Sequence, residues 1–190
     1  METTQGSLHA EAIVLTAGVW ATQWHSSTPT PPIFPVKGQM LALHELPGLP
    51  LRHTMYASGV GGIVPKADGT ISVGATVEQV GFDKAVTAEG IAILLTALAK
   101  LTPGLSQARW IRTWAGLRPG SADGFPLIGP SRSVQGLWIA GGHFRDGILL
   151  GPLTGHIVAE LIQKHPTPFD LNVHPFDPDR FGGWEPAAQS

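Results

Sequence analysis

The chain has no cysteine, which excludes disulfides, thiolate metal sites and thiol catalysis. Charge is scarce, with 12 Lys and Arg against 14 Asp and Glu for a formal net charge of −2. No basic surplus gathers phosphates, so nucleic acid is not an expected partner. Long apolar runs are also missing, because Gly, Pro or a charge breaks each one before the roughly 18 residues of a membrane span. Met1 to Glu11 lack the basic and apolar stretches of a signal peptide, and a cytoplasmic location is the default expectation. The eight His show no ligand spacing, so no metal site is expected. No Gly-x-Ser-x-Gly and no phosphate-binding Gly-Lys-Ser/Thr string occurs, which argues against hydrolase and P-loop chemistry. No internal repeat is visible.

Gly and Pro are plentiful. The 24 Gly and 17 Pro make up about a fifth of the 190 residues, short of the roughly 25–30% that marks disorder. Interleaved with apolar runs, they point to tight turns between short elements, some placed where backbone meets ligand.

Ala12 to Thr16 reads as a short buried parallel strand ending in Ala17-Gly18. Before it, Glu2 to Thr4 and Gly6 to His9 read as one arm of a hairpin whose other arm is absent. Ser26 to Pro32 is a Pro-rich linker that no helix crosses. From Ile33 to Arg118 strands dominate: Gly38 to Leu43, His53 to Ala57, and a hairpin of Gly62 to Pro65 and Thr70 to Gly74 around Asp68-Gly69. Thr87 caps a helix running to about Leu101, with Ile91, Leu94, Leu95 and Leu98 on one face. Ala108 to Ala115 is a further strand. Leu137 to Ala140 runs into Gly141-Gly142, and a helix follows from about Gly147 to Ile162. After His165 the Pro-rich tail is expected to wrap the surface.

Leu137 to Ile162 carries the most chemistry. Two glycines after a strand let backbone approach a bulky ligand, and the following helix aims unpaired N–H groups and its positive dipole end at the same place. A plain β–α unit with glycines kept for packing explains the spacing equally well. Arg118, set before Pro119 at a strand end, has the planar fork that binds a carboxylate through two bonds. A surface salt bridge is the plainer alternative. The same two readings apply to Arg145, whose neighbour Asp146 is placed to cap the helix. Trp20, Trp24, Trp110 and Trp138 read as core or interface anchors.

Several segments together resemble the glycine-oxidase and D-amino-acid-oxidase family of FAD-dependent enzymes. They are Val14 to Trp20, Pro35-Val36-Lys37-Gly38-Gln39, Ile63 to Lys66 with Val73 to Glu78, Trp114 to Pro119 with Asp123 to Gly129, and Gly141 to Leu150 with Gly155. The last two are long and specific, and the resemblance runs to about Ile162. It implies that Arg118 clamps the substrate carboxylate and that Arg145 sits at the substrate or flavin face. It also implies that His143, Phe144, Arg145, Asp146, Gly147, Ile148 and Leu149 wrap the flavin of FAD. The chemistry implied is oxidative deamination of glycine or a similar small amino acid by hydride transfer to flavin, with oxygen reduced to hydrogen peroxide. A D-amino-acid dehydrogenase or a sarcosine-oxidase-like enzyme is the alternative.

This sequence departs from the family pattern at two points. The Gly-x-Gly-x-x-Gly that holds the ADP diphosphate is absent. Gly59-Val60-Gly61-Gly62 is the nearest string and reads as a loop. The family also usually carries a substrate-touching aromatic where Gly62 stands, so a wider pocket or a replacement from elsewhere is expected. The architecture expected is α/β (α+β mixed). Residues 1–25 and 118–165 form the C-terminal part of a Rossmann-like FAD-binding domain. Residues 33–117 form an inserted, mostly antiparallel substrate-binding domain with one helix, and 166–190 form a tail. The expected partners are a small amino acid and an N-terminal FAD-binding half, missing or on another chain; a homo-oligomer is compatible. A non-catalytic fragment or a subunit of a split flavoenzyme is the rival of a different class.

Overall fold

A computed structural model of the chain describes residues 2–24, 29–57, 61–182 and 184. It is a mixed α/β structure that divides into two compact units, one of Met1–Phe34 with Arg118–Ser190 and one of Pro35–Leu117.

Strands β1 (Glu2–Thr3) and β2 (Gly6–Ser7) open the chain, pairing with each other in antiparallel register. The expected orphan arm is therefore a complete small hairpin. Thr3 supplies the local reason: its Oγ1 donates to Gly6 O at 2.7 Å and accepts from Gln5 N at 3.2 Å, closing the turn.

In the second unit, β4 (Phe34–His44), β5 (Met55–Ala57), β6 (Gly61–Pro65), β7 (Thr70–Gly74) and β8 (Trp110–Gly120) form one sheet in the order β5-β6-β7-β4-β8. Leu41, Leu43, Ile63, Ile71 and Val73 alternate along their strands, so period-2 spacing puts them all on one face. Helix α1 (Ala88–Leu101) covers that face with Leu94 and Leu98. Its start is fixed by Thr87, whose hydroxyl accepts from Gly90 N at 3.1 Å. The β6–β7 turn follows its sequence signal: Gly69 has φ +77°, and Asp68 Oδ1 accepts from Thr70 N at 3.0 Å.

A buried polar network ties β4 to the entry of α1. Lys37, 2% exposed at its side chain, lies 3.0 Å from Glu78 and 3.5 Å from Asp83 and donates to Ala85 O at 3.1 Å. Gln39 donates to Glu78 at 2.9 Å and to Thr87 Oγ1 at 3.0 Å, and accepts from Thr87 N at 2.8 Å. Burial pushes the Glu78 carboxyl up. Hydrogen bonds from Thr76, Lys37 and Gln39 outweigh that and hold it below its usual range. Every polar group named here finds a partner, the condition for burying it cheaply.

The first unit is built on a three-stranded sheet of order β3-β10-β9: β3 (Ile13–Leu15) runs parallel to β10 (Leu137–Gly141), and β9 (Leu127–Pro130) runs antiparallel to it. Leu127, Leu137 and Ile139 face a core with Ala21, Ile33 and Trp184. On the opposite face Ile128 packs with Ile157 and Val158 of helix α2 (Gly147–Ile162).

Three expectations need correction here. The strand expected to end at Ala115 runs on through Arg118 and Pro119 to Gly120. A proline is tolerated there because β8 is the outer strand of its sheet, where an N–H need not be supplied. Gly61 joins the expected Gly62–Pro65 strand in β6 and is not in a loop; a Cβ at Gly61 would stand 2.4 Å from Gly74 O, so strand pairing there requires glycine. Gly59 and Val60 lie outside the described residues. Trp20 and Trp110 are 50% and 46% exposed, which removes the core alternative for them and leaves the interface one.

The tail does more than wrap the surface. Arg180 forks onto Asp123 with two bonds of 2.8 Å and donates to Phe125 O at 2.8 Å. That pairing holds the Asp123 carboxyl down at about 2. Trp184 then completes the core under β10.

Candidate active site

Backbone geometry after β10 creates the site. Gly142 has φ +75°, and a Cβ there would stand 2.9 Å from Leu127 Cδ1, so the turn accepts only glycine. Phe144 follows with φ +52°, a conformation that a bulky residue adopts only when its surroundings impose it. The restraint is visible: Phe144 N donates to Pro119 O at 2.8 Å, stitching this loop to the end of β8.

That bond brings together two residues 27 positions apart. The Arg118 guanidinium lies 5.7 Å from the centre of the Phe144 ring, and that of Arg145 lies 5.1 Å from it. Arg118 is half-buried and Arg145 exposed. Burial, followed by repulsion from Arg145, pulls the Arg118 guanidinium down from its ordinary value, though an arginine keeps its charge under such a shift. Two cations therefore share one aromatic ring, and each is close enough to oppose the other's charge.

Helix α2 begins beside them. Asp146 occupies the N-cap position but its side chain makes no capping hydrogen bond, so the expected structural cap is corrected to a backbone role; Asp146 O accepts from Leu150 N at 2.8 Å. The first-turn N–H groups of Gly147, Ile148 and Leu149 lack intrahelical partners by construction. Ile148 and Leu149 are 97% and 79% exposed, unusual for such side chains at the start of a structured helix. His143 is half-buried and its Nε2 lies 2.9 Å from Thr154 Oγ1. Burial lowers its pKa and favours the neutral imidazole, a shift the Asp146 charge opposes.

Among the expected site residues, Arg118, Phe144 and Arg145 converge on one ring, while His143 turns inward to Thr154 and Ile148 and Leu149 face outward. In the other unit, the space above Gly62 is filled from its cross-strand partner. A Cβ at Gly62 would stand 2.7 Å from Tyr56 Cε1, so an aromatic ring covers this position although the residue there has none. Sequence reading missed Tyr56; its alternation with Gly62 across β5 and β6 was the available signal.

The family model described as FAD dependent oxidoreductase matches residues 1–161. The chain belongs to that family. A glycine oxidase of Geobacillus kaustophilus is 39% identical over 172 residues, covering 90% of this chain and 45% of that protein. A hydrogen cyanide synthase subunit, HcnC, of Pseudomonas aeruginosa is 38% identical over 185 residues, 96% of this chain and 43% of that one. The crystal structure of the Geobacillus kaustophilus glycine oxidase matches with a TM-score of 0.83 at 37% identity, over 94% of this chain and 48% of that chain. An iminodiacetate oxidase from Chelativorans sp. matches with a TM-score of 0.81 at 32% identity, over 92% and 48%. The chain thus spans about half the length of the relatives it matches.

The residues present fit one end of an FAD molecule. The α2 start offers N–H groups to a ring that gains negative charge on reduction, whereas Gly141 and Gly142 are kept small by Ile33 and Leu127, as a plain β–α unit requires. No segment of the sequence supplies the glycine-rich turn that would hold the diphosphate.

Proposed function

We propose that this chain forms the substrate-facing half of an FAD-dependent amino-acid oxidase acting on glycine or a similarly small amino acid. The observation that carries the reading is the pair of guanidiniums over Phe144 at the start of α2. Two guanidiniums over one ring beside a positive helix end favour an anion among them. A carboxylate suits Arg118, whose fork binds two oxygens in one plane.

In this reading Arg118 holds the carboxylate and so fixes the α-carbon in position. Arg145 adds a second charge at the rim, and the exposed Ile148 and Leu149 become covered, excluding water from the reacting centre. His143, neutral and tied to Thr154, positions the loop without carrying charge into it. Bound FAD would supply the electron acceptor: hydride leaves the α-carbon, the imine hydrolyses to an oxo acid and ammonia, and oxygen is reduced to hydrogen peroxide. The diphosphate end of FAD falls to an N-terminal half, on the same or another chain. Arg118 and Arg145 bind substrate, and residues 143–149 line the flavin.

The test is to co-produce the chain with the complementary part of a full-length relative and measure peroxide release from glycine. Peroxide formed in proportion to glycine supports the reading. A flavin-loaded complex that ignores amino acids but oxidises simple amines contradicts it. The kinship with a cyanide synthase subunit favours one second reading, a subunit of a hetero-oligomeric oxidoreductase; dye reduction without peroxide would select it.

A further inference from the structure

Asp146 at the cap of α2, and Leu153 and Ile157 within it, share one side of the helix, because steps of three and four residues return to the same face. Ile148 lies on the opposite side. Facing the first side are the loop Gly124–Pro126 and, from the tail, Phe176, and between them lies a cavity of about 320 Å³. Protein interiors hold few voids larger than a water molecule, because an unfilled apolar space forfeits packing contacts. Pockets that take small molecules start at roughly this size. The space stays open because its loop is pinned from several directions. Gly124 takes φ +78°, Asp123 Oδ1 accepts from Phe125 N at 3.0 Å, and Phe125 O accepts from Ser121 Oγ at 2.6 Å and from Arg180 Nη2 at 2.8 Å. The rings of Phe125 and Phe176 then meet at 6.3 Å between centres, tying loop to tail.

The lining decides what chemistry fits. Of the residues around the cavity, His143 and Asp146 alone are ionisable, and no Lys or Arg contributes. Asp146 caps no helix N–H and, among the described residues, forms no ion pair, so its carboxylate is available. His143 is tied through Nε2 to Thr154 Oγ1 at 2.9 Å, and burial keeps its ring from adding positive charge. Most of the remaining wall is apolar or aromatic. We propose that this cavity is a second small-molecule site, which takes a compact hydrophobic amine: the ammonium pairs with Asp146, and the aryl or alkyl body fills the space beside Phe125 and Ile157. An amino-acid zwitterion is disfavoured here, because its carboxylate would enter a pocket that holds no cation. That preference is the reverse of the one at the arginines over Phe144, where a carboxylate is favoured. The site belongs to this chain without flavin, so it stands or falls apart from the reading above.

Calorimetric titration of the chain with 2-phenylethylamine tests the proposal, with 2-phenylethanol and phenylalanine as comparison ligands. The amine binds at one per chain. The alcohol, which lacks the charge, and phenylalanine, which carries an unpaired carboxylate, bind roughly tenfold more weakly or worse. Asp146→Asn lowers affinity for the amine by the same factor and brings it level with the alcohol. Asp146 is exposed and its side chain caps nothing, so this variant keeps the melting temperature of the unaltered chain. Leu153→Trp, which fills the cavity, abolishes binding of the amine. In imidazole NMR spectra the amine moves the His143 signals and leaves those of His156 and His165, which do not line the cavity, in place. Equal binding of amine and alcohol, or undiminished binding to Asp146→Asn, overturns the charged contact that defines the site. Binding without a response at His143 places the amine elsewhere and overturns the proposal, as does no binding at millimolar amine.

Discussion

In Pro35–Leu117 the apolar face of the sheet is closed by α1, and the buried charges Lys37 and Glu78 are paired and hydrogen-bonded within the unit. In the other unit β3 has one open edge, α2 shows bare glycines to a groove, and Ile148 and Leu149 stand almost fully exposed. The same chain therefore holds one region whose surfaces are satisfied internally and one whose surfaces are shaped for something else. A region built only for stability buries its leucines and fills helix interiors with good helix formers. Where it does neither, beside two cations sharing a ring, the departures are what the proposed function reads as ligand-facing surface.

The largest expected effect lies at that shared ring. In the enzyme completed by an N-terminal half, Arg118→Ala removes one partner of a desolvated, charge-assisted pair, costing on the order of 2–5 kcal/mol. That corresponds to a fall in kcat/KM of roughly 30- to several-thousand-fold. Arg118→Lys recovers only part, because an ammonium lacks the planar fork. An amine without a carboxylate is the control: equal loss on both substrates would remove the clamp from Arg118 and move it to Arg145.

Next comes the closed region. Leu94→Ala empties a fully buried site between α1 and the sheet, and the expected loss is about 2–5 kcal/mol by denaturant unfolding. An effect below 1 kcal/mol would show that this core is looser than described. Gln39→Leu strips the Thr87 N–H and Glu78 of a buried partner and should cost about 1–3 kcal/mol. A neutral result would mean water replaces the amide.

How far the sequence foretold these regions depends on how local the cause was. Helix α1 was legible because Thr87, the leucine spacing and Pro103 all lie within its own stretch, and the β6–β7 hairpin because Asp68-Gly69 sets its turn. The full reach of β8 was not, since Arg118 and Pro119 look like a strand end until β8 is known to lie at the sheet edge. The tail's hold on the fold was not legible, because Arg180 finds Asp123 57 residues away, a pairing no local pattern encodes. At the site, the arginines could be singled out by type and motif. Their meeting over Phe144 depends on one backbone bond to Pro119 and a positive φ, which spacing does not reveal.

The smallest expected effect is a pH dependence from His143. Burial lowers its folded-state pKa below the unfolded value of 6.5, so the unfolded chain binds more protons between those two values. The stability it confers is full above 6.5 and is lost as pH falls through the depressed value. Melting temperature should therefore drop on acidification below 6.5, and less so in His143→Gln. An equal drop in both would assign the acid sensitivity elsewhere.

The most direct test of the central claim, that the open unit is completed by a nucleotide-binding half, is a flavin spectrum of the purified chain before and after co-production with that half. The chain alone should be colourless, since its sequence carries no Gly-x-Gly-x-x-Gly string for the diphosphate, and the pair should show the flavin band near about 450 nm at one flavin per chain. A stoichiometric flavin band from the chain alone would contradict the account.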